Sequence, residues 1–143
     1  MLTTIILPDL LAIATIKAEA GNQLLHGMQA VGEVIRNRTK RKYNSDGSII
    51  GTVLRPFQFS CWNHDATNRS LMIRSLTAIT LSNTIPQVSV SDAIVAWKYS
   101  ESSSLVLGAV LYHTQWIAPK WINHPNVKKT VQIGEHIFYD EVI

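Results

Sequence analysis

A chain of 143 residues, 46% of them apolar and only 16% charged, can hide about two-thirds of its unfolded surface in a core. That balance excludes a disordered polypeptide, which needs low hydrophobicity and high charge, and the length suits one domain over residues 1–143. The net charge of +3 is a small basic excess, and the single cysteine, Cys61, excludes an internal disulfide.

The chain begins with an apolar stretch, Thr3 to Ile16, interrupted by Pro8 and Asp9. It is too short to cross a bilayer, and its first cation is Lys17, so it lacks the basic start of a signal peptide. No stable membrane insertion is expected. Residues 9–20 read as a helix, with Asp9 as N-cap after Pro8 and Gly21 as its stop. Residues 22–38 read as a second, capped by Asn22, with Leu24, Met28, Val31 and Ile35 on one face. Glu33 falls off that face and reads as a surface residue. The run 36–42 holds five cations in seven positions. Such a run suits a helix C-terminus or attraction to a polyanion such as an anionic envelope.

Residues 43–51 form a turn-rich loop, and 52–54 an extended stretch before Pro56. Helices are expected at 68–82 and 91–100, the second capped by Ser91. Segments 105–114 and 130–139 each carry the β-branched and aromatic content of a strand. Helices first and strands later predict an α+β domain, mainly α, with a small antiparallel sheet.

Three groups of residues could carry chemistry. Glu19 ends the first helix among Ala18, Ala20 and Gly21, where a ligand could approach closely. A carboxyl beside an apolar face can stay protonated near neutrality and act as a general acid, although most glutamates are solvated. A glycosidase of the usual kind needs a second carboxylate. Asp46 and Asp65 are loop candidates, and nothing in the sequence singles out either. The segment Pro56 to Asn63 mixes Phe57, Phe59 and Trp62 with Gln58 and Ser60, a composition that suits sugar faces and hydroxyls, or a loop pinned into the core. A late cluster of Tyr112, His113, Trp116, Trp121 and Phe138 offers a sugar-binding wall or core packing.

Cys61 followed by Trp62 raises a second class of enzyme, a cysteine peptidase with His113 or His136 as base. Phe59 replaces the glycine usual before that motif. The histidines show no close metal-ligating pair, so no metal or other cofactor is expected. The basic run has no interleaved aromatics, so nucleic-acid binding is not expected.

Several motifs stand in order: Ala18-Glu19-Ala20-Gly21-Asn22-Gln23, Gly27 to Val31, Val34 to Arg38, Gln58 to Asn63, Gly108-Ala109 through Tyr112-His113 to Pro119-Lys120-Trp121, and Ile133 to Tyr139. Together they resemble the cell wall hydrolases related to the spore cortex-lytic enzyme, over residues 12–139. The resemblance implies a compact lysozyme-like domain that cuts peptidoglycan glycan strands between N-acetylmuramic acid and N-acetylglucosamine, as a lytic transglycosylase or muramidase. It implies Glu19 as catalytic acid. Gln58, Ser60, Trp62, Tyr112, His113 and Trp121 are the expected sugar-binding residues. Two departures stand out. Spore members carry an arginine between the alanine and the turn where Gly21 follows Ala20 here, and Ser104 and Val106 replace an aspartate and a threonine. The expectation for context is a monomeric, phage-type lysis enzyme, made in the host cytoplasm and passed to the wall by a holin. The alternatives are a cysteine peptidase cutting the wall's peptide cross-links and a non-enzymatic wall-binding or virion component.

Overall fold

Helix α1, Leu7–Ala20, is apolar around most of its circumference, and every residue from Leu11 to Ile16 is buried. A helix of that kind belongs at the centre of a core. In the computed structural model, which describes residues 7–56, 58–62 and 88–142, α1 packs against α2, Leu25–Arg41, α3, Ile49–Val53, and α4, Val88–Ser100. Phe59, Met28, Val31, Ile35 and Trp97 complete this cluster. Three strands, β1 Leu111–Thr114, β2 Val127–Ile133 and β3 His136–Glu141, form an antiparallel sheet in the order β1-β3-β2. Phe138 carries the sheet onto Ala30 and Val34 of α2 in a second cluster. The architecture is the expected mainly helical α+β domain, and the four helices and three strands lie among the described residues.

Local expectations needed several corrections. Asp9 lies inside α1, and its carboxylate accepts from the Trp97 indole N–H at 2.8 Å. Helix α2 starts after Leu24, whose apolar side chain makes no cap, and Asn22, the expected cap, accepts from Gln23 Nε2 at 3.3 Å instead. Residues 52–54 are not extended. Ser48 caps α3 by accepting from the Gly51 N–H at 2.9 Å, and burial of Thr52 and Val53 overrides their β-branched preference. Helix α4 begins before Ser91, and the helix expected at 68–82 lies outside the described residues.

The two strand segments also change. Leu107 and Gly108 have φ of 54° and 83°, a left-handed pair that no strand accommodates, so 105–110 is a turn and only 111–114 joins the sheet. The tail is a hairpin rather than one strand: Gly134, at φ 59°, opens a two-residue loop and Ile133 pairs with His136. Leu107 is a non-glycine residue in the left-handed region and is 65% exposed, so its side chain offers little packing in return. Leu107→Gly is expected to raise stability by about 0.5–1 kcal/mol, after allowing for glycine's greater freedom in the unfolded chain. A thermal melt checks this.

The basic run is largely turned inward. Arg36 donates to Ser100 Oγ and Trp97 O, both at 2.8 Å, and covers the Trp97 ring. Arg38 is buried and donates to Val110 O at 2.6 Å. Arg41 donates to Gly108 O and Glu141 O and pairs with Asp140. Only Lys40 and Lys42 remain as exposed cations of the run without such bonds among the described residues, so its main work is to fasten α2 to α4 and the sheet.

Candidate active site

Glu19 stands in the last turn of α1, where the helix leaves the core. Gly21 ends that turn because a Cβ there would lie 2.3 Å from Lys17 O. The Glu19 carboxyl is largely enclosed, and its Oε1 is buried with no hydrogen-bond partner among the described residues. Burial drives its pKa above the ordinary carboxylate value. The Tyr112 hydroxyl, the Arg38 charge and the Cys61 thiol and N–H pull the other way without cancelling it. The group therefore holds its proton to higher pH than a solvated glutamate does.

One cleft, of about 520 Å³, is lined by Lys17, Glu19, Asn22, Gln23, Glu135 and His136, among others. A second, of about 730 Å³, is lined by Arg38, Asn44, Gln58, Tyr112, Trp121 and Asn123, among others. Glu19 does not line the second cleft, but Arg38 and Tyr112, which act on its carboxyl, form part of that wall. The Tyr112 ring meets His136 edge-on at 5.1 Å and Phe138 at 5.6 Å.

The expected sugar-binding residues separate into groups. Gln58, Tyr112 and Trp121 share the larger cleft. Ser60 is exposed in the short 3-10 turn Ser60–Trp62, beside Cys61. The Trp62 indole donates to Thr15 Oγ1 at 2.8 Å and packs on the main core, so it anchors the loop. His113 alternates with Tyr112 along β1 and therefore takes the other face of the sheet. There it bonds the Tyr139 hydroxyl at 2.9 Å and meets Trp121 at 5.7 Å, which makes it a support for Trp121.

Sequence reasoning missed three residues here, Gln23, Arg38 and Glu135, and offered His136 only as the base of a peptidase. Arg38 was hidden in the basic run, and Glu135-His136 in a tail read as one strand. His136 is 3% exposed, with Nδ1 unpartnered among the described residues. Burial lowers its pKa, opposed by Glu135 and assisted by His113, so it stands as neutral imidazole. Asp46 lies elsewhere, exposed and bonded to Ser48, and Asp65 is outside the described residues. Among the described residues no group of three or more His, Cys, Asp or Glu side chains could hold a metal ion.

Cys61 does not have the character of a nucleophile. Burial, and then the Glu19 charge, push its thiol well up, whereas a reactive cysteine needs a lowered pKa and a base. His113 is taken by Thr114 O and Tyr139. The thiol serves Glu19 as a neutral neighbour.

The model of the family described as Cell Wall Hydrolase matches residues 22–139. The chain belongs to the cell wall hydrolase family. It is an enzyme of peptidoglycan breakdown. The matched segment opens just beyond Glu19, so the case for that residue rests on its geometry. The fold is that of the catalytic domain of the germination-specific lytic transglycosylase SleB from Bacillus anthracis, with a TM-score of 0.64 and 20% identity over 98% of this chain and 100% of that one. The catalytic domain of the Bacillus cereus SleB protein matches with a TM-score of 0.62 and 20% identity, over 93% of this chain and 90% of that one. No curated protein sequence matches the chain.

Proposed function

We propose that this cell wall hydrolase cuts glycan strands between N-acetylmuramic acid and N-acetylglucosamine as a lytic transglycosylase, with Glu19 handling both proton transfers. The observation that carries this is a desolvated carboxyl with a raised pKa on one polar cleft, whose partners Arg38 and Tyr112 line a second. Protonated Glu19 gives its proton to the glycosidic oxygen as the bond to the muramic anomeric carbon breaks. The resulting carboxylate takes the proton of the C6 hydroxyl as that oxygen closes on the same carbon. The acid is regenerated and an anhydro-muramic end is left. Gln58 and Trp121 hold the strand in the larger cleft, Tyr112 orients the acid, and His113 supports Trp121.

Mass spectrometry of fragments from purified sacculi tests the reading. Anhydro ends weigh one water less than reducing ends, and a product set of reducing ends alone would replace transglycosylation with hydrolysis. For delivery, the proposal is a monomeric lysis enzyme released through a holin. Co-expression with a holin then lyses cells, and expression alone does not.

Tyr112 gives a second check. Its hydroxyl lowers the Glu19 pKa, so Tyr112→Phe lets that pKa climb further. The acid must be protonated to act, so the high-pH limb of kcat/KM moves to higher pH in Tyr112→Phe. A limb that stayed in place or moved down would separate Tyr112 from the acid.

A further inference from the structure

The cleft that Glu19 lines holds a second carboxylate, Glu135, at the β2–β3 turn. Glu135 is fixed at three points. Its Oε2 accepts from Gln23 Nε2 at 3.1 Å, and its N–H donates to Gln23 Oε1 at 3.1 Å. Its carbonyl accepts from the Gln115 N–H at 2.8 Å. Two glycines make room for this clamp: a Cβ on Gly134 would lie 2.4 Å from Gln23 Oε1, and one on Gly27 would lie 2.7 Å from Gln23 Cβ. Gln23 closely follows Glu19 in sequence, so the clamp ties the end of α1 to the hairpin and holds both carboxyl groups on one cleft.

A glycosidic bond breaks through a transition state with positive charge at the anomeric carbon. A fixed negative group near that carbon stabilises the charge without reorganising during the reaction. Glu19 cannot fill that role while it is the proton donor, because it is then neutral. The other groups on this cleft do not fill it either: Lys17 is cationic and His136 is neutral.

We propose that Glu135, clamped by Gln23, is an electrostatic catalytic residue of the same reaction, an ionised carboxylate that stabilises the positively charged sugar while Glu19 moves the protons. No proton or bond passes to Glu135. The proposal rests on the reading of Glu19 as the acid. The titratable groups that share its cleft are Lys17 and Glu19 from α1 and His136 beside it on β3, and of these His136 feels the Glu135 charge directly.

The test compares turnover of soluble, uncross-linked glycan strands by the wild type and four variants, each with kcat, KM and a thermal melt. Glu135→Gln keeps a hydrogen-bonding partner for Gln23 but removes the charge. It is expected to lose kcat by about 100-fold and to keep KM and thermal midpoint near wild type. Glu135→Asp restores part of the rate. Gln23→Ala keeps the charge but frees it, with a smaller kcat loss, about 10-fold, a tenth of the full preorganised effect. Wild-type kcat in Glu135→Gln overturns the proposal. So does a purely structural pattern, in which Glu135→Gln and Gln23→Ala lose thermal midpoint and substrate affinity together and Glu135→Asp restores none of the rate. Glu19→Gln distinguishes the two levels. If it is inactive while Glu135→Gln is normal, only this inference fails; if it is fully active, the reading of Glu19 fails and this inference with it.

Discussion

Glu19→Gln is expected to slow the release of muropeptides from purified sacculi by about 10²–10⁴-fold, the usual contribution of a general acid–base group, while making the folded protein more stable at neutral pH. Both effects come from one cause. The amide keeps the size of the carboxyl and cannot donate the proton. It also removes a group that the fold prefers uncharged. Burial raises the Glu19 pKa above its ordinary 4.5, so the folded chain binds that proton more tightly than the unfolded chain. The stability linked to the proton is fully present below the ordinary value and is lost as pH rises through the raised one. Above that window the wild type holds an ionised carboxylate whose lost hydration Tyr112, Arg38 and Cys61 do not make up. The glutamine variant should therefore melt higher by the equivalent of about 0.5–2 kcal/mol near neutrality, a common gain when a strained active-site group is replaced. That advantage should fade toward acid pH. Melts at acid and neutral pH, run beside the release assay, check both halves. Release at the wild-type rate would end the proposed mechanism, and a lower midpoint at neutral pH would show that the fold prefers the charge.

How much of this was legible in the sequence varies with the kind of interaction. Helix α1 was read to its end and missed only at its start because its signal is local: an apolar run stopped by a glycine. The overall class followed in the same way. Glu19 became a candidate through motif order, but its chemistry depends on Tyr112, Arg38 and Cys61, which lie far away in sequence and which no periodicity connects. The same distance hid Glu135. As a residue in a presumed strand it had no reason to meet Gln23, and the hairpin at Gly134 brings the two together. The arginines of the basic run show the opposite error. Charge counted along the chain suggested an exposed patch, whereas the carbonyl groups of Trp97, Gly108, Val110 and Glu141 claim three of the five cations.

Glu33 carries that error furthest, and its replacement should have the largest effect on stability. It reads as a surface residue because it falls off the apolar face of α2, yet it is only 3% exposed. Its Oε2 accepts from Ser103 Oγ at 2.5 Å and from the Leu105 N–H at 3.0 Å, and its Oε1 accepts from the Val106 N–H at 3.1 Å. The carboxylate does the work of a capping group for a turn that has no regular structure of its own. Glu33→Ala would leave two backbone N–H groups without their acceptor and open a cavity, at a cost of about 3–5 kcal/mol. Glu33→Gln keeps one acceptor oxygen and should cost less, about 1–2 kcal/mol. Urea unfolding of the two variants measures both, and near-equal stability to wild type in Glu33→Ala would show that the turn holds itself. The consequence for activity follows from the chain path. The turn leads directly into Val110, whose carbonyl holds Arg38, and then into Tyr112, which touches Glu19. Loosening Glu33 therefore loosens the two groups that tune the acid, and Glu33→Ala should lose activity at temperatures below its own melting midpoint.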